Sequence, residues 1–229
     1  MSAPTLDLPP VRWAWWWVPP AGHDAAAADA WSEEVAELFA AWTADGVALL
    51  PPGLRDALGT RTVGDEVVAW LRTRTADLPP ATYVAFGAAF LAPDRPRWAP
   101  VVAVVRVREP GADDTGYLLD VVGAAGRPDD ARPPLVEYVT TDAGDGVRVA
   151  ALARGAHGEA SVRVDAALRL DATDARGPVD VVVSTRVAEL PLFGLVGPGV
   201  DQLLHLVAAD AGTITTAGDA PPPSTRRTP

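Results

Sequence analysis

The chain contains no cysteine, no lysine and no asparagine, and only three histidines, His23, His157 and His205. Without cysteine there can be no disulfide, thiolate metal site, thiol nucleophile, iron–sulfur cluster or thioether lipid anchor. Without lysine, Schiff-base chemistry, a phosphate-loop lysine and a kinase lysine are excluded. All 19 basic residues are therefore arginine. With the abundance of Ala, Gly, Pro and Asp, this pattern reads as the coding bias of a GC-rich bacterial genome. No window reaches the roughly 18 consecutive apolar residues of a membrane span. Asp7, Pro9 and Pro10 interrupt the N-terminal residues where a secretory signal needs an apolar stretch. A cytoplasmic location without membrane insertion is expected.

A hydrophobic fraction of 48% with 21% charged residues lies in the globular range rather than that of disordered chains. One α+β domain is expected over 1–216, made of a strand and helices (1–80) and a β-rich part with a closing helix (81–216). A Pro/Thr/Arg tail follows (217–229). The net charge of −11 opposes nucleic acid, whose phosphates require clustered basic surface, and favours a basic protein partner; a protein partner or self-association is expected.

Residues 11–18 carry Trp13, Trp15, Trp16 and Trp17, bounded by prolines, and read as a strand. Trp13, Trp15 and Trp17 share one face, and Trp16 points the other way with Ala14 and Val18. A central strand covered on both sides is the expectation, with the open question of whether this chain or another supplies the cover. Asp24 caps a helix in which Trp31, Val35, Leu38 and Trp42 recur at helical spacing, with Gly46 as its stop. Pro51-Pro52-Gly53 opens a short turn or helix. Thr62 to Asp65 starts another helix, with Val67, Trp70 and Leu71 on one stripe.

Beyond Tyr83 the pattern turns to strands, expected at 82–91, 99–108, 116–122, 134–140, 147–154, 161–170 and 179–188, between Gly, Pro and Asp clusters. In 161–170, Val162, Val164, Ala166, Leu168 and Leu170 alternate with Arg163, Asp165 and Arg169, so one face reads as wetter. Residues 191–208 form a helix with Val200, Leu203, Leu204 and Val207 inward and Pro198 in its first turn. Segment 211–216 suits an edge strand. The fold expected is a mainly antiparallel sheet of about six to eight strands with the N-terminal helices and a C-terminal helix packed on it. A β-meander closed by a helix over 134–208 is similar, in element order alone, to Mog1/PsbP-like sandwiches, a likeness that implies no function.

Motifs of catalysis are missing. No serine lies in a Gly-x-Ser-x-Gly elbow, and Gly194, Gly197 and Gly199 have the wrong spacing for a dinucleotide loop and read as helix punctuation. Asp142 to Gly146 reads as a hairpin turn rather than a calcium loop. His157 reads as a turn residue, and His205 as a partly buried helix residue. No metal site and no cofactor are expected. The arginines on strands, Arg106, Arg108, Arg148, Arg163, Arg169 and Arg186, fall on the less apolar faces, where Asp165 and Asp180 can pair with them. Such a face can bind anions or a partner, because guanidinium groups match carboxylates and phosphates.

Three functions fit. The first is a non-catalytic interaction or assembly module, with Trp13, Trp15, Trp16, Trp17, Arg106, Arg108 and Arg163 as partner contacts. The second is a small-molecule-binding domain, recognisable by an apolar concavity lined by Trp and Arg between sheet and helices. The third is a hydrolase or lyase using Asp, Glu or His alone, requiring two carboxylates, or His205 and a carboxylate, to converge.

Overall fold

The computed structural model describes residues 11–58, 63–92, 95–96, 100–111, 115–155, 158–172 and 177–210. Strand β1 (Arg12–Val18) precedes three helices, α1 (Ala25–Ala48), α2 (Pro52–Leu58) and α3 (Val63–Thr73). Strands β2 (Thr82–Ala92), β3 (Arg95–Pro96) and β4 (Val101–Arg108) follow, then helix α4 (Thr115–Val122). The chain continues through β5 (Leu135–Thr141), β6 (Gly144–Arg154), β7 (Ala160–Leu170) and β8 (Val179–Val187). A 3-10 turn at Leu190–Leu192 leads into α5 (Phe193–Ala209).

The strands form one antiparallel sheet in the order β1-β2-β4-β8-β7-β6-β5, with β3 paired to β2 alone. This is an α+β fold with helices on both faces of the sheet. Val18, Val84, Val104, Ser184, Asp165 and Val149 lie in one row across six strands. Directly opposed residues share a face, so these mark the first face. The second carries Trp13, Trp15, Ala103, Val183 and Val164 and packs on α5. Helix α5 touches β1 and β2 at one end of the sheet and β5, β6 and β7 at the other, so the sheet curls around it. The segment Leu190–Ala209 is long and apolar enough to cross a membrane by length and composition. Val196, Val200, Leu203, Leu204 and Val207 on it are instead buried against the sheet.

The first face has two separate covers. Trp31, Val35 and Phe39 of α1, with Val68 and Leu71 of α3, pack over Trp16, Val84 and Phe86. Helix α4 packs Leu118, Leu119 and Val122 over Val147, Val149 and Ala167. Between the covers, the strip along β4 and β8 is left open, with Arg106, Arg108, Ser184 and Arg186 exposed.

Several expectations need correcting. Residues 116–122 are helix, because apolar residues at 118, 119, 121 and 122 form one helical face, whereas a strand would split them between two. β1 is an edge strand, not a central one; its burial comes from the helices above and below rather than from a second strand neighbour. Helix α1 runs past Gly46 to Ala48. The buried stripe of α3 is Gly64, Val68 and Leu71, and Trp70 lies outside it. Pro198 sits inside α5. The nominally wet face of β7 is almost as buried as the other. Thr62, Asp113, Asp114, His157, segment 211–216 and the tail at 217–229 lie outside the described residues.

Candidate functional site

The tryptophan strand is covered by its own chain. Trp13, Trp15 and Trp16 are all buried, and Trp17 is half-buried against Tyr83. Trp13 and Trp15 stack at 5.6 Å between ring centres. The Trp15 ring lies directly over Gly87, its register partner, where a Cβ would come within 2.6 Å of the indole. Its Nε1–H donates to the Gly199 carbonyl at 3.0 Å. Gly199 itself lies against Trp13, which an added Cβ would meet at 2.4 Å. Gly197 similarly lies against Arg148, whose guanidinium an added Cβ would meet. These glycines let large sheet side chains reach the helix backbone, a closer reason for them than punctuation. On the first face, Trp16 stacks on Phe86 at 5.0 Å and meets Trp42 edge-on.

The arginines divide into buried and exposed sets. Arg163 is wholly buried, so it offers no contact to a partner. Its Nε and Nη2 donate to the two Asp130 oxygens at 3.3 and 2.7 Å. Its Nη1 donates to Asp165 and to the Val122 carbonyl at the end of α4. Burial opposes the Arg163 charge, but the hydrogen bonds to Asp130 and Asp165 outweigh it and raise the guanidinium's pKa. Asp165 also pairs with Arg127 at 3.0 Å. Arg186, directly opposite Arg163 on β8, pairs with Asp129 at 2.9 Å and thereby lowers that carboxyl's pKa, outweighing the opposing effect of burial. The cross-strand like-charge pair of Arg163 and Arg186 is therefore neutralised by the aspartates of the α4–β5 connection. Farther along this face, Arg169 forks onto buried Asp180 at 2.8 and 3.1 Å.

Above this network lies a cavity of about 560 Å³ on the open strip between the two covers. Val84, Val102 and Val104 line its floor, and Ser184 and Asp165 lie beside them. Trp70 of α3 and Arg74, in the turn just after it, form one wall, with the Arg74 guanidinium 4.7 Å from the Trp70 ring centre. Arg127 and Arg186 stand opposite. Arg106 and Arg108 extend the same face of β4 beyond Val104, and both are exposed. Of the partner-contact residues expected from sequence, only Arg106 and Arg108 are exposed and on this strip. Trp70, Arg74 and Arg127 were missed; the four-residue spacing of Trp70 and Arg74 on a helix was their available signal.

Arg148 faces α5 rather than a wet surface. It is buried, with Glu137 at 2.6 Å and Asp201 at 3.1 Å. Burial raises the Asp201 pKa despite Arg148, and Glu137 adds to the rise. His205 is exposed rather than part-buried, and its Nδ1 lies 2.8 Å from the Asp201 carbonyl. Two carboxylates thus converge here on a shared arginine, which donates to Glu137 and forms an ion pair with Asp201, whose Oδ1 is buried without a hydrogen-bond partner among the described residues. A larger groove of about 620 Å³ between α1 and α3 is walled by alanines and Val68, with Glu33 and Glu37 on its rim. It lacks convergent donors. Among the described residues no three His, Asp or Glu side chains are grouped to hold a metal.

No family model, curated protein or solved structure matches this chain.

Proposed function

We propose that the chain is a non-catalytic binding domain for a small anionic molecule held in the cavity over β4 and β8. The observation that carries this is the convergence of Arg74, Arg127 and Arg186, from the turn after α3, the α4–β5 connection and strand β8, on one valine-floored cavity. Its volume of about 560 Å³ lies within the range of small-molecule sites. The protein as a whole carries a charge of −11, whereas in the cavity lining the three arginines outnumber the carboxylates Asp165 and Glu189, so anions are tolerated there better than on the rest of the surface. Asp165, the carboxylate beside the floor, is bound by Arg163 and Arg127, so it serves to hold those two arginines in place.

The test is thermal stability against a panel of metabolites sorted by charge. Anions are expected to raise Tm at low salt and to lose that effect in Arg127→Ala/Arg186→Ala. A panel without any anion-specific shift, or a shift that survives the double replacement, rejects the reading.

A second reading, self-association or a protein partner, draws on β5. This edge strand leaves Leu135 53% and Tyr138 79% exposed, and open apolar edges are templates for strand addition. Light scattering after chromatography should then give a mass above 23.9 kDa that Tyr138→Lys returns to the monomer.

A further inference from the structure

Among the described tryptophans, only Trp70 is exposed, at 46%. It stands on α3 outside that helix's buried stripe, so core packing among the described residues does not account for an indole at this position. Arg74, one turn later, lays its guanidinium 4.7 Å from the ring centre. Neither Trp70 nor Arg74 bonds a carboxylate among the described residues; the pair is a flat platform, aromatic on one layer and cationic on the other. Both layers border the cavity, whose floor at Val84, Val102 and Val104 offers no polar side-chain atom.

Resting on the binding reading above, we infer that the anionic group is carried on a flat aromatic ring, as in an aryl or heteroaryl carboxylate. A flat ring lies on the valine floor and extends the Trp70–Arg74 stack, where it loses no rotational freedom and gains contact over its whole face. Its acid group then meets Arg127 and Arg186 on the far wall. The width agrees. Arg127 is anchored on Asp165 of β7, and β7 lies two strand spacings from β4, a distance of about 10 Å. One or two fused rings with an acid substituent span that gap, whereas a bare inorganic anion reaches only one wall.

The experiment uses the full chain and three probes at low salt: 2-naphthoate, flat and anionic; cyclohexanecarboxylate, anionic and puckered; and 2-naphthamide, flat and neutral. Affinities are read by ligand-observed NMR up to millimolar concentration. Naphthoate is expected to bind about tenfold more tightly than either of the others. Trp70→Ala should remove its advantage over cyclohexanecarboxylate and leave the latter within about twofold; Arg74→Gln, which keeps the indole but removes the cation, should weaken naphthoate partially. Equal binding of the two carboxylates overturns the flat-ring inference and leaves the anion cavity standing. Equal binding of naphthoate and naphthamide, or no binding by any probe, overturns both. Because Trp70 is exposed, its replacement should leave the far-ultraviolet spectrum and Tm of the free protein unchanged, so lost binding is not lost folding.

Discussion

Arg163 is the buried cation of the network beneath the cavity. A guanidinium removed from water is tolerated only when its donors find partners, and Asp130, Asp165 and the Val122 carbonyl supply them. Replacing Arg163 with leucine takes the buried cation from Asp130 and Asp165, leaving Asp165 with Arg127 and Asp130 with the Arg127 backbone N–H, and is expected to cost about 3–5 kcal/mol in denaturant unfolding. Asp129 offers a local reporter. The Arg186 hydrogen bond holds its pKa below the ordinary value, so its stabilising contribution is present above the ordinary carboxylate pKa and is lost as pH falls through the depressed one. Arg186→Ala should move the carbon-NMR titration of Asp129 upward. Asp201 has the opposite sign. Burial raises its folded pKa, so ionisation weakens the fold as pH rises through the carboxylate range. Asp201→Asn should raise Tm by about 1–3 °C at pH 7 and make no difference at a pH below that range.

At the scale of elements, glycine positions show how sheet and helix are fitted together. Gly199→Ala pushes a methyl into the Trp13 ring, 2.4 Å from where the Cβ would stand, and overpacking of this kind costs about 1–3 kcal/mol. Trp15→Phe removes the hydrogen bond to the Gly199 carbonyl, about 1 kcal/mol, and measured unfolding free energies for the two variants would separate packing from bonding. The strands of the sheet were legible because Val and Ala alternate with charge along them, as in Val101–Arg108. The short apolar run at 116–122 was not, since a seven-residue segment fits either period until it is known that a flat sheet lies beneath it. The cavity was half legible. Arg106, Arg108 and Arg186 are exposed on one strip, as their alternation implies, but alternation measures polarity and not depth. It therefore cannot distinguish Arg186, on an open strip, from Arg163, its register partner beneath the α4–β5 connection. That distinction depends on Asp129 and Asp130, more than 30 residues away from Arg163 in sequence.

Over the whole molecule, charge and topology set the conditions under which binding can be seen. An acidic protein attracts an anion only near its arginines, and exposed charges more than a Debye length apart, roughly 10 Å at 0.1 M salt, no longer act on one another. Binding at the cavity should therefore weaken less with salt than the on-rate, which depends on the long-range field. The curl of the sheet around α5 also imposes an order on synthesis. Trp13 and Trp15 leave the ribosome early, yet the helix that covers them, joined through the bond from Trp15 to Gly199, comes 184 residues later. Until then a nascent chain carries its most aromatic strand with one side bare. Any fragment that stops before Phe193 inherits that condition permanently, and its fate is aggregation or capture by a chaperone.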